Sequence, residues 1–123
     1  MITANVAYDT AGHCYMTEDG MEMYNTFQYN LGARTKNVVD IIPDDGFNGE
    51  ETDNEASTFW ITNPTNVFKG NVAAGSQSGG FWLQLKEAVR GQMRNNYPGW
   101  NPKSMALKTF ESNVAHSNVK GIL

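Results

Sequence analysis

Cysteine is nearly missing from this chain: Cys14 is alone among 123 residues. A single thiol cannot close an internal disulfide, so the redox compartment is left open and the residue reads as a small inward-facing hydrophobe. No stretch approaches the roughly twenty apolar residues that span a bilayer. Met1 runs straight into Ile-Thr-Ala-Asn-Val-Ala, without the charged-then-apolar start of a secretory leader. There is no Asn-x-Ser/Thr glycosylation site, since Asn63 is followed by Pro64 and the other asparagines lack the hydroxyl two residues on. Base is scarce too. With 9 Lys and Arg against 13 Asp and Glu, the formal charge is -4. That excludes nucleic acid as a partner, because no excess of cations is present to displace counterions from phosphates.

What the chain does have is repetition. Asn-aliphatic-small units occur as Asn5-Val6-Ala7, Asn30-Leu31-Gly32, Asn71-Val72-Ala73 and Asn113-Val114-Ala115, separated by 25, 41 and 42 residues. Three are preceded by an x-Phe-x-x-Asn strand, with phenylalanines at Phe27, Phe68 and Phe110. A further strand recurs as Cys14-Tyr15-Met16, Phe59-Trp60-Ile61 and Phe81-Trp82-Leu83. Self-similarity at twenty to fifty residues marks a solenoid. Three short strands per repeat give an all-β, right-handed parallel β-helix of about four turns. The 41- and 42-residue separations then contain two inserted loops, at about 36–56 and 86–107. Residues 1–123 form one such segment. Neither end shows an atypical capping turn, so it reads as a fragment of a larger β-helix or one completed by neighbouring chains.

Period-2 alternation assigns faces. Phe59, Ile61, Phe81 and Leu83 read as inward, together with Cys14 and Met16. Tyr15, Trp60 and Trp82 then form an outward column able to stack on sugar rings. Val6, Leu31, Val72 and Val114 read as inward, as do the three phenylalanines. Asn30, Asn71 and Asn113 fall at one corner, where Asn can take the left-handed conformation and bond amide to amide in a ladder.

The order of these pieces resembles a known family. Gly12-His13-Cys14-Tyr15-Met16-Thr17-Glu18-Asp19-Gly20-Met21-Glu22, Asn25-Thr26-Phe27-Gln28-Tyr29-Asn30-Leu31-Gly32, Phe59-Trp60-Ile61-Thr62-Asn63-Pro64, Asn71-Val72-Ala73-Ala74-Gly75-Ser76 and Gly80-Phe81-Trp82 are similar to the β-helix region of the cell-migration-inducing hyaluronidase, the transmembrane hyaluronidase and the fibrocystin-like receptors. The likeness runs from about Asn5 to Leu85 and resumes at Asn113; the second insertion departs from it. It implies an extracellular or cell-surface home. It carries no catalytic residue over, because much of a hyaluronidase site is expected outside so short a segment.

Charge is segregated. Asp40, Asp44, Asp45, Glu50, Glu51, Asp53 and Glu55 lie in the first insertion, and Lys86, Arg90, Arg94, Lys103 and Lys108 in or beside the second. The two loops read either as walls of a sugar-binding trough or as covers over the aromatic column. Asp44-Asp45-Gly46 with Gly49-Glu50-Glu51 suggests Ca²⁺, although the spacing is not that of an EF-hand; no other cofactor is implied. Residues 85–93 fit a short helix with Leu85, Val89 and Met93 on one face.

Catalytic candidates are His13, Glu18, Asp19 and Glu22. Carboxylates crowded near an imidazole could serve as acid and base on a glycosidic bond. The competing reading makes them turn residues, because Glu18-Asp19 precedes Gly20. Three functions follow: a non-enzymatic extracellular scaffold or glycan-interacting module packed against partner chains; a filament subunit joined through open β-helix ends; or part of a hyaluronan-like polysaccharide depolymerase. Missing caps and an incomplete active site favour the first.

Overall fold

A computed structural model describes residues 1–39 and 53–123. Twelve short strands appear among them, and they fall into four coils of three. The first coil holds β1 (Ile2–Thr3), β2 (Val6–Tyr8) and β3 (Tyr15–Met16); the second holds β4 (Thr26–Gln28), β5 (Leu31–Ala33) and β6 (Phe59–Ile61). The third holds β7 (Val67–Lys69), β8 (Val72–Ala74) and β9 (Gly79–Leu83), and the fourth β10 (Thr109–Glu111), β11 (Val114–His116) and β12 (Lys120–Ile122). Like strands of successive coils pair in parallel, giving sheet 1 (β1-β4-β7-β10), sheet 2 (β2-β5-β8-β11) and sheet 3 (β3-β6-β9-β12). This is a parallel β-helix.

Sheet 1 carries the phenylalanine column. Phe27 aligns with Phe68 and Phe68 with Phe110. The first pair stacks at 4.7 Å and 6°, while Phe110 tilts to 45° at 6.4 Å. In sheet 3, Tyr15, Phe59 and Phe81 form a second column, stacked at 4.8 and 4.6 Å. The two meet edge-on, with Phe59 perpendicular to Phe68. Offset and edge contacts between ring faces add to the apolar burial of each ring.

Two face assignments and one corner assignment change against the sequence argument. Tyr15 belongs inside and Met16 outside, because Tyr15 pairs with Phe59 and Met16 with Trp60. A tyrosine tolerates the interior when its hydroxyl finds a partner, and Tyr15 donates to the Leu31 carbonyl at 3.2 Å. In sheet 2 the small residues face in: Gly32 and Ala73 are buried, whereas Val6 is 73% exposed and Val114 49%. The aromatic columns and Thr58 already fill the space beneath this sheet. A Cβ on Gly32 would lie 2.2 Å from Thr58 Cγ2, so the aliphatic residues take the outward parity.

The third change is at the corner between sheets 1 and 2. There the left-handed residue is the one before each Asn: Ala4, Tyr29, Gly70 and Ser112, with φ of 56°, 56°, 64° and 55°. The Asn that follows turns its amide along the helix axis instead. Asn71 Oδ1 accepts from both the backbone N and Nδ2 of Asn30, while its own Nδ2 donates to Asn113 Oδ1 and to the Phe27 carbonyl. Asn5 bonds to Asn30 in the same way. Each inner rung thus uses both amide hydrogens and both oxygen lone pairs, which is why Asn30 and Asn71 can be buried at 1% and 0% exposure. A shorter ladder stands at the next corner, where Asn25 N and Nδ2 donate to Asn66 Oδ1.

The expected helix over 85–93 is absent. Gly91–Met93 forms only a 3-10 turn, preceded by extended Arg90 and opened by Gly91 at φ 57°. A second 3-10 turn, Pro102–Ser104, is capped by the Asn101 side chain.

Candidate functional site

The outward face of sheet 3 gathers most of the candidate residues. Trp60 and Trp82 align in register and share one side of the sheet. The third ring of this column is His13, not Tyr15: its imidazole stacks on Trp60 at 4.4 Å and 17°, and lies 6.0 Å from Trp82. His13 sits just before β3, at the corner where the chain bends into the sheet. The Ser57 backbone N–H donates to its Nδ1 at 3.0 Å. An accepting Nδ1 places the ring proton of the neutral tautomer on Nε2.

Trp60 is covered. Its exposure is 2%, its Nε1 donates to Gln84 Oε1 at 3.0 Å, and the Arg90 guanidinium lies 5.5 Å over its ring. The cover is the second insertion, with Val89 tucked under at 5% exposure. Trp82 keeps part of its surface in solvent. A cation over a desolvated indole is worth roughly 0.5–2 kcal/mol, enough to favour the covered arrangement.

The acidic candidates hold this cover down. Glu22 accepts the backbone N–H groups of Asp19 and Gly20, both at 2.9 Å, and so closes the turn on itself. Asp19 reaches across to the insertion: its carbonyl accepts from Arg90 N at 2.8 Å and its Oδ2 from Met93 N at 3.2 Å. Gly20 packs near Pro102, and its carbonyl accepts from Asn63 Nδ2 at 2.7 Å. Glu18 is exposed on the same turn. Asp19 and Glu22 therefore build one anchor for the loop, and His13 lies with the tryptophans at the other end of the strand.

Cys14 lies between these regions, with Sγ 3.5 Å from the position a Cβ on Gly32 would take. Burial pushes its thiol above the ordinary value, against the opposing hydrogen bond to Thr10. Burial likewise raises the Tyr15 phenol, helped by the charge of Cys14. Both groups are neutral at physiological pH. Among the described residues no group of three or more His, Cys, Asp and Glu could hold a metal ion. The Ca²⁺ suggestion at Asp44, Asp45, Glu50 and Glu51 lies outside the described residues, as does Asp40.

Sequence reasoning missed His13 as the third ring and the outward aliphatic column of sheet 2. Counting the strand register back from Phe59 and Phe81, the two aromatics of like parity, would have placed Tyr15 beneath them and freed His13 for the outer face.

The CEMIP beta-helix family model matches residues 1–122. A Dictyostelium discoideum protein is 37% identical over 99% of this chain. The human cell migration-inducing and hyaluronan-binding protein is 34% identical over 94% of it, and the human cell surface hyaluronidase CEMIP2 34% over 98%. This chain spans 13%, 10% and 10% of those three relatives, about a tenth of their length.

Proposed function

The chain belongs to the CEMIP beta-helix family, and from that premise we propose that it is a rigid β-helical module of an extracellular or cell-surface protein concerned with hyaluronan-like glycans, one that contacts glycan and partner chains without cleaving the glycan. Relatives named for hyaluronan binding and for cell-surface hyaluronidase activity support the glycan connection. The observation that carries the non-catalytic reading is the engagement of two of the three acids, Asp19 and Glu22. A general acid or base needs a carboxyl within reach of a substrate oxygen, yet Glu22 is occupied by two backbone N–H groups and Asp19 by the Met93 amide. His13 is likewise held, by Ser57 and Trp60. The partly exposed Trp82 supplies the stacking surface for a sugar ring, beside Trp60 and the Arg90 cation over it.

Titrating the chain with hyaluronan oligosaccharides while following tryptophan emission tests this. The expected result is saturable binding that Trp82→Ala weakens by about tenfold, or 1.4 kcal/mol, with no new reducing ends. Reducing ends that accumulate with wild type and vanish with Glu18→Gln would replace this reading with a depolymerase. Binding unchanged by Trp82→Ala would remove sheet 3 as the contact face.

A further inference from the structure

The three outer faces of the β-helix differ in what covers them. Sheet 1 turns Gln28, Lys69 and Glu111 outward, and Lys69 pairs with Glu111 across the strands. Sheet 3 lies under the inserted loop. Among the described residues no loop covers sheet 2, and its outward side is largely apolar. Its outward ridge runs Val6, Leu31, Val72, Val114, with the two end residues 73% and 49% exposed.

Beside the ridge runs a second outward column, Tyr8, Ala33, Ala74, His116. The two alanines sit between Tyr8 and His116, so the column holds a shallow hollow two coils long. The ridge forms one side of it. Along the other side lie Arg34 and Lys36, which both reach Asp9 Oδ1, at 3.2 and 3.1 Å. Two cations share one carboxylate there. Among the described residues the rim therefore carries one positive charge in excess, on a chain whose total charge is -4.

We propose that sheet 2 docks an acidic amphipathic helix from another polypeptide. Successive coils lie about 4.8 Å apart, so Ala33 and Ala74 can seat two apolar side chains at i and i+4, which stand about 5–6 Å apart on a helix. The four-coil ridge is about 15 Å long, near three helical turns. Acidic residues flanking the apolar stripe meet Arg34 and Lys36, which gives orientation and speeds encounter. No α-helix occurs among the described residues, so a second copy of the described fold does not supply this occupant.

The test uses a fluorescein-labelled peptide of about 15 residues with leucines along one helical stripe and glutamates on its flanks, followed by anisotropy against the full chain. Binding is expected, weakening with added salt. Val72→Asp should reduce affinity by at least about tenfold, and the pair Arg34→Glu with Lys36→Glu by a similar factor. Circular dichroism and melting curves check that each variant folds. If Val72→Asp unfolds, the Arg34/Lys36 pair still decides, since Arg34 is exposed and Lys36 borders the face. The proposal is overturned if the peptide does not bind, if a lysine-flanked peptide binds as well, or if the folded variants bind like wild type. Light scattering that shows self-association through this face, abolished by Val72→Asp, would also overturn it.

Discussion

The corner joining sheet 1 to sheet 2 and the two corners flanking sheet 3 are built on opposite plans. At the first, the chain turns in two residues in all four coils: Ala4-Asn5, Tyr29-Asn30, Gly70-Asn71 and Ser112-Asn113. At the corner leaving sheet 3 the connections are residues 17–25, 62–66 and 84–108, and entering it they range from 117–119 to 34–58. The first corner is fixed by hydrogen bonds that pass from coil to coil, so an inserted residue would break the ladder for its neighbours as well. The others carry shorter sets of such bonds, Asn25 to Asn66 on leaving sheet 3 and Ser76 to Asn118 on entering it, and their lengths differ from coil to coil. Variation in length is tolerated there, and that is where side chains with chemistry collect. The repeating corner supports the fold, and the irregular corners decide what the sheet 3 face shows to solvent.

Removing a rung of the ladder is expected to have the largest effect. Asn71→Ala would strip a partner from the Asn30 backbone N–H, from Asn30 Nδ2 and from the Phe27 carbonyl, all in the interior. At about 1–3 kcal/mol per stranded buried group, tempered by relaxation, a loss of about 4 kcal/mol is expected in urea unfolding. Asn5→Ala removes the same kind of amide from an exposed rung, where water replaces the bonds, and should cost under about 1 kcal/mol. Equal losses at the two positions would mean that the ladder's value does not come from burial.

Next comes the interior under sheet 2. Gly32→Val would drive a Cβ to 2.2 Å from Thr58 Cγ2 and 3.3 Å from the Tyr15 ring. Thr58 is fully buried and tied to Thr35 Oγ1 at 2.9 Å, so it has no easy retreat. Overpacking of this kind costs about 1–3 kcal/mol. Gly121→Ala, with nothing within 4 Å of the new Cβ, should change stability by less than about 0.5 kcal/mol.

At the irregular corner, Asp19→Ala should loosen the cover more than the helix. It removes the acceptor for Met93 N, a loss of about 1–2 kcal/mol. Most of that cost should fall on local opening. Trypsin should then cut faster after Arg90 and Arg94, with tryptophan emission shifting red as Trp60 is wetted, while the far-ultraviolet circular dichroism stays that of the β-helix. Global unfolding on the same substitution would show that the inserted loop is part of the core and would erase the contrast between the corners.

These contrasts also mark how much was legible. The coil count, the three strands per coil and the phenylalanine column follow from recurring Phe and Asn, because a repeat whose pairing is fixed by its own neighbours must place like over like. In sheet 3 the inward phase of Phe59, Ile61 and Phe81 was legible as well, whereas the phase of sheet 2 and of Tyr15-Met16 was misread. In Asn-Val-Ala and Asn-Leu-Gly either parity offers an apolar residue to the core, and only the volume left by Phe59, Thr58 and Tyr15 decides for Ala and Gly. Tyr15 and Met16 pose the same ambiguity, which alternation within one strand leaves open and which alignment of Tyr15 to Phe59 resolves. The loop that covers Trp60 left a signal only in Val89, and the left-handed residue before each Asn left none, since Ala, Tyr, Gly and Ser share no propensity for that conformation.

The smallest expected effect lies at the junction of the two plans, in Cys14. Burial raises its thiol above the ordinary value, so the folded chain holds the proton over a range of pH in which the unfolded chain releases it. Below the ordinary thiol range, about 8.5, the group makes no pH-dependent contribution. As pH rises through that value the unfolded state gains ionisation that the folded state lacks, and stability falls until the folded thiol also ionises. Wild type should therefore lose stability as pH rises through about 8.5 relative to Cys14→Ala, which has no such slope. Reaction with a disulfide reagent should be slow at pH 8 for folded protein and rapid in urea. A fast-reacting thiol in the folded chain would place Cys14 in solvent, and with it the corner that carries His13 onto Trp60.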